Sequence, residues 1–130
     1  MIGTSKDTKE YFEKLLQDEW CGTPIHFVGE EFDQDNTKRW INPYYAPTYG
    51  EQKGFSGGTA IYGTFYVACW AENDLEAMTL SDTIIQFMST NVDTRTYRIP
   101  RYSIEDHGWH KTNKVFVTVA FSIETLGGSC

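Results

Sequence analysis

Cysteine is scarce in this 130-residue chain, and what there is does not pair: Cys21, Cys69 and Cys130 make an odd count with no C-x-x-C spacing. That pattern argues against a disulfide framework and points to a reducing compartment. Long apolar runs are also missing, since none approaches the roughly 20 residues a membrane-spanning helix needs. The opening "MIGTSKDTKEYF" has no apolar core of a leader, so no secretory signal is expected. No G-x-S-x-G elbow, no G-x-x-x-x-G-K-S/T loop and no G-x-G-x-x-G turn occurs, which leaves acyl transfer and phosphate cradling without a sequence signature. Basic residues are in short supply, with 11 Lys and Arg against 18 Asp and Glu for a net charge of −7. Such a surface repels nucleic acid unless a local basic patch overrides it.

What the chain has in surplus is aromatic side chains, at 15% of residues with eight Tyr, eight Phe and four Trp. These bring large contact areas to cores and interfaces alike. Apolar residues at 40% and charged residues at 22% describe a folded chain rather than a disordered one. Its length fits one domain, placed at 1–126, with "GGSC" at 127–130 read as a flexible tail.

Hydrophobic spacing supplies the elements. A helix is predicted over 5–19, capped by Ser5, with Phe12, Leu15, Leu16 and Trp20 on one face and charges largely on the other. Gly22, Thr23 and Pro24 stop it. A short strand at 24–29 points Ile25 and Phe27 one way, and another at 39–47 carries Pro43, which places it at a sheet edge or breaks it there. Four glycines in 48–58 read as a flexible loop. The strand at 59–71 has bulk on both faces, with Ile61, Phe65, Val67 and Cys69 on one and Tyr62, Tyr66 and Trp70 on the other. A second helix is predicted over 74–90, since Asn73 and Glu76 have capping-box spacing and Ala77, Leu80, Ile84, Phe87 and Met88 form an apolar stripe. Strands at 94–103 and 113–125 complete the chain, joined by a turn-rich "IEDHGWHK". The order α-β-β-β-α-β-β predicts an α+β fold: an antiparallel or mixed sheet of four to five strands with two helices packed on one face.

Three stretches carry residues that chemistry could use. "GEEFDQDN" at 29–36 is acidic, but counted as an EF-hand from Asp33 it has Lys38 at the glycine position and Tyr44 at the final carboxylate position. It reads as a solvated loop. "DHGWH" offers Asp106, His107 and His110 as weak metal candidates that lack a third or fourth well-placed ligand, with His26 and Cys69 the distant options. The bland reading is a turn made by Gly108. "RTYRIPRY" interleaves Arg95, Arg98 and Arg101 with Tyr97 and Tyr102, a mixture that grips single-stranded nucleic acid when it shares a face. Regular alternation puts Arg95, Tyr97, Ile99 and Arg101 on one face and Arg98 and Tyr102 on the other. That split favours pairing with acids of this chain or a neighbour. No enzyme, cofactor or membrane contact is expected.

With catalysis unsupported, the order of elements becomes the informative feature. A helix ending near "DEWCGTPIHFVGEEFD" leads into a "P-x-x-F"-type strand and a loop. "RWINPYYAP" and a Gly-rich loop follow, then "GTAIYGTFYVACWAENDLEAMTLSDTIIQFM" as a long strand, turn and helix, and "WHKTNKVFVTVAFSIET" as a closing strand. This layout resembles the tail terminator proteins of long-tailed, lambda-type bacteriophages over nearly the whole chain, in pattern and order rather than in a fixed motif. The resemblance implies a tail-tube-like fold and a virion protein assembled in the host cytoplasm. It implies a homohexameric ring on the head-proximal end of the tail tube, which stops tube growth and offers a surface for head–tail joining. The implied partners are itself, the major tail tube protein and the head–tail connector, with DNA passing through the lumen without specific binding. Tyr49, Lys53 and Phe55 in the Gly-rich loop, with Arg95, Arg98 and Arg101, are the expected interface residues. Phe55→Ala is expected to weaken ring assembly without changing monomer melting. Two rival readings remain open: a tail-to-head joining or head-completion protein, and a small monomeric metal- or ligand-binding domain.

Overall fold

The computed structural model describes residues 5–27, 37–53, 58–109 and 114–126. Six elements follow one another: α1 (Ser5–Glu19), β1 (Trp40–Lys53), β2 (Gly58–Ala71), α2 (Asp74–Asn91), β3 (Tyr97–Trp109) and β4 (Val115–Leu126). The strands form one four-stranded sheet in the order β1-β2-β4-β3, with every neighbouring pair antiparallel. Two strand pairs, β1–β2 and β3–β4, are each consecutive in the chain, and α2 crosses from β2 over β4 to reach the outer strand β3. The α+β class, the antiparallel sheet and the two helices on one face agree with the sequence reading.

Strand alternation decides which face meets the helices. Ile41 and Tyr45 of β1, Phe65, Val67 and Cys69 of β2, and Val119, Phe121 and Ile123 of β4 point to one side. There they join Phe12 and Leu16 of α1 and Leu80, Ile84 and Met88 of α2 in a single buried cluster. Phe12 stacks on Phe65 with ring centroids 5.0 Å apart, and Tyr11 stacks on Tyr97 at 4.3 Å. Trp20, at the end of α1, meets Phe87 of α2 edge-on at 5.4 Å, so the helices touch each other as well as the sheet. Beneath α1, Thr8 and Thr125 share a fully buried hydroxyl–hydroxyl hydrogen bond of 2.8 Å. The Tyr11 hydroxyl accepts from the Asp93 amide at 2.8 Å, fastening α1 to the segment that leaves α2.

The second helix starts as its sequence specifies. Asn73 adopts an extended backbone (φ −143°, ψ 166°) and its side-chain oxygen accepts from the Glu76 amide at 2.9 Å, satisfying one of the unpaired amides of the first turn. Ser5, the expected cap of α1, is its first helical residue, and the residues before it lie outside the described residues.

Four boundaries differ from expectation. The segment at 24–29 is no strand in its described part; Ile25 makes one isolated parallel bridge to Ile41. Two backbone bonds hold it, His26 N to Ile41 O at 2.8 Å and Ile41 N to Pro24 O at 3.1 Å. The order is therefore α-β-β-α-β-β. Most of the presumed loop at 48–58 is strand, because β1 runs to Lys53 and β2 starts at Gly58, in register down to Lys53↔Gly58. Cross-strand hydrogen bonds sustain this part of the ladder where composition alone suggests a coil. Likewise β3 continues through Trp109, so of the presumed turn residues Ile104, Glu105, Asp106 and Trp109 pair with β4, with a register shift between Asp106 and Trp109. Its beginning is later than expected: 93–96 form a turn in which the Asp93 carboxylate accepts from the Arg95 amide at 3.0 Å and the Thr96 hydroxyl at 3.3 Å. Pro43, as expected, sits on an edge strand.

Candidate functional site: the open sheet face

The face of the sheet turned away from both helices is tiled with aromatics at one end. Trp40 (β1), Trp70 (β2) and Phe116 (β4) occupy directly opposed positions, Trp40↔Trp70 and Trp70↔Phe116. Their rings stack in a row, 5.3 Å and 4.3 Å between centroids and within 19° of parallel. Trp40 is fully buried and Trp70 nearly so, so at this end the strand at 58–71 does have both faces covered. Farther along, Tyr44 opposes Tyr66 with ring centroids 6.4 Å apart, and these two stand 49% and 37% exposed. Between and beside them lie Thr64, Ala68, Thr118, Ala120 and Ser122, all half-buried small side chains that leave the tyrosines proud of the surface.

The arginine stretch reaches this same face by a route that simple alternation misses. Between Arg98 and Arg101 the β3–β4 register shifts, with Arg98 opposite Glu124 and Arg101 opposite Ser122. Three steps along β3 thus match two along β4, a bulge at Ile99–Pro100 that resets which side each later residue faces. Arg98 and Arg101 consequently share the helix-free face, correcting the split read from the sequence. Arg98 lies 4.0 Å from the Glu124 carboxylate and Arg101 Nε donates to Ser122 Oγ at 3.5 Å, both exposed and weakly tied. Tyr97 and Tyr102 fall together on the helix side, opposite Thr125 and Phe121. Arg95 belongs to neither face; it precedes β3 and its guanidinium sits 3.3 Å from Asp93. The two hydrogen bonds and that charge, led by the Arg95 amide, hold the exposed Asp93 carboxyl below its ordinary range.

The other predicted site residues have these positions. Tyr49 and Lys53 lie in β1, opposite Tyr62 and Gly58, and Phe55 lies outside the described residues. Asp106 and His107 lie in β3, while His110 and the acidic segment 29–36 lie outside the described residues. Among the described residues no three His, Cys, Asp or Glu side chains converge as a metal site would require. Cys69, the distant ligand candidate, is fully buried against the helices, and burial pushes its thiol up to about 12, so it offers no thiolate at neutral pH. Burial likewise raises the phenols of Tyr45 and Tyr97. These shifts arise from packing in the core and gather no acid–base pair in a cleft.

One further feature escaped sequence reasoning: an apolar groove of about 310 Å³ between α2 and β3, lined by Ile85, Met88, Tyr97, Ile99, Tyr102 and Phe121. Its signal was present in the stripe of α2, but the bulge that brings Tyr102 over it has no marker beyond Pro100. Among the described residues no helix is long and apolar enough to cross a membrane. No protein-family model and no curated protein matches this chain.

Proposed function

We propose that this chain is an assembly subunit that caps the head-proximal end of a phage tail tube as a six-membered ring, ending tube growth and leaving a surface for head–tail joining. The observation that carries the reading is the open sheet face, where Tyr44 and Tyr66 stand side by side beyond a buried Trp40–Trp70–Phe116 row while both helices occupy the opposite face. Paired exposed tyrosines on a rigid sheet provide contact area at little conformational cost, which suits an anchor for a neighbouring subunit. The order of elements supports the same reading, through the resemblance of the sequence layout to terminators. A head-to-tail contact closes into a ring when its rotation closes, and a capping ring matches the tube on one side only. The net charge of −7 suits a lumen through which DNA slides without sticking.

The test is polymerisation of the cognate tube protein at increasing ratios of this chain, with tube lengths read from negative-stain images. Tubes are expected to shorten as the ratio rises. The Tyr44→Ala/Tyr66→Ala double variant is expected to lose the effect while melting within a few degrees of the parent, because both side chains are substantially exposed. Tube lengths indifferent to the parent chain would end the capping proposal.

A further inference from the structure

The two sheet edges are not alike. The β1 edge carries Pro43 and Pro47, and near Ile41 it is already occupied by the Ile25 bridge. Prolines and covering segments are how edges are kept from pairing with other chains. The β3 edge has Pro100 only at its bulge, followed by an unbroken regular run from Arg101 to Asp106 that ends at a second register shift. Within that run Arg101, Tyr102, Ser103, Ile104 and Glu105 are five consecutive exposed residues, with Tyr102 at 52% and Ile104 at 41%.

We infer that this edge pairs with the same edge of a second copy of the chain, antiparallel, about a two-fold axis through Ser103. The register follows from parity and charge. A two-fold perpendicular to the sheet keeps the helices of both copies on one side, so directly opposed residues must face the same way. Only registers centred on a residue satisfy that. Centred on Tyr102, the pairing sets Arg101 against Ser103; centred on Ile104, it sets Ser103 against Glu105. Centred on Ser103, it sets Arg101 against Glu105 twice on the helix-free face and Tyr102 against Ile104 twice on the helix side. Opposite charges and an aromatic–aliphatic pair directly across from each other are the stabilising cross-strand combinations. Tyr102 also borders the α2–β3 groove, so Ile104 of the second copy arrives beside the apolar mouth of that groove and covers it. The two bulges confine the regular pairing to this run, which closes the contact at two copies. The result is a continuous eight-stranded sheet with four helices on one face.

This pairing goes beyond the capping reading and does not depend on it, because a two-fold contact is self-complementary whereas a ring contact joins different surfaces. The test is cross-linking. In a Cys21→Ser/Cys130→Ser background, Ser103→Cys places two thiols directly opposite each other, at the ~4.5–5.5 Å Cα separation a disulfide accepts. Glu105→Cys places them four residues out of step, about 13 Å apart. Under mild oxidation the Ser103→Cys chain is expected to form a covalent pair and the Glu105→Cys chain to stay single. Adding Arg101→Glu to Ser103→Cys is expected to slow cross-linking at least tenfold, and adding Glu105→Arg to that variant is expected to restore it. Positions 101, 103 and 105 are exposed, so these substitutions leave the fold intact. Equal cross-linking at 103 and 105, indifference to the charge reversal, or no cross-link at 103 would each overturn the pairing. Tube shortening would be untouched by such a result, just as absence of shortening would leave the cross-link standing.

Discussion

Replacing Gly63 by Ala is expected to destabilise this protein, against the usual direction for glycine in a strand. Ala normally gains about 0.5–1 kcal/mol over Gly within a strand, because the unfolded chain loses freedom. Here the Tyr45 ring lies flat against the glycine from the neighbouring strand. A β-carbon at Gly63 would come within 2.3 Å of the Tyr45 oxygen, 2.6 Å of Cζ and 2.8 Å of Cε1. The hydroxyl oxygen and two ring carbons are all too close, so turning the hydroxyl alone does not relieve the clash; the ring must move as a body. Tyr45 is only 3% exposed and belongs to the core cluster, so it has nowhere to go without disturbing its neighbours. Overpacking of this kind costs about 1–3 kcal/mol. Set against the backbone gain, a penalty in the middle of that range leaves a net loss of about 1 kcal/mol, or about 4 °C in Tm for a domain of this size. Urea denaturation of Gly63→Ala, Tyr45→Ala and the double variant measures it. The cycle is expected to show the Gly63→Ala penalty vanishing once the ring is gone. A neutral or stabilising Gly63→Ala, or an equal penalty in both backgrounds, would refute the argument.

Further expectations follow from single contacts. Asn73→Ala removes the cap of α2 and is expected to cost about 1 kcal/mol in urea unfolding, with Asn73→Asp recovering most of it. Thr125→Val breaks the hydrogen bond between two fully buried hydroxyls and is expected to cost about 1 kcal/mol in urea unfolding; an unchanged midpoint would show that the bond adds nothing. Cys69 is held neutral by burial, its folded value being about 12 against an ordinary 9.0. The unfolded thiol therefore releases its proton first, and stability is expected to be full below pH 9 and to fall between there and about 12. In a Cys130→Ser chain at pH 8, a thiol reagent is expected to titrate exposed Cys21 promptly and Cys69 only after denaturation; prompt reaction of both would contradict the packing.

Much of the fold was legible because its strongest periodicities are long. Five alternating apolar positions from Val115 to Ile123 make β4 a central strand, and the stripe from Ala77 to Met88 with the Asn73 cap makes α2 a helix. The misreadings fall where composition and tertiary pairing disagree. Gly50 and Lys53 read as loop, yet each extends the β1–β2 ladder by pairing with its partner strand. Ile25 and Phe27 read as strand, yet the described segment makes a single bridge because Pro24 precedes it and only the end of β1 is available. The candidate site was less legible for a sharper reason. Which way Arg98, Arg101 and Tyr102 point depends on one bulge, and a one-residue slip reverses every later side chain. Tyr44 and Tyr66 carry no mark in sequence that separates them from core tyrosines such as Tyr45; only the register against β2 and β4 distinguishes the helix side from the open side.

The central claim, that this chain ends tail tubes, is tested most directly by labelling it at an exposed thiol and imaging it on preformed tubes of the cognate tube protein. Cys21 is exposed and lies beside Thr83 and Phe87 of α2, on the helix side of the sheet, so a gold cluster there in a Cys130→Ser chain leaves Tyr44 and Tyr66 accessible. The account expects gold at one end of each tube, in a ring of six subunits, and its loss with Tyr44→Ala/Tyr66→Ala. Gold scattered along the tube walls, or none bound at all, would contradict it.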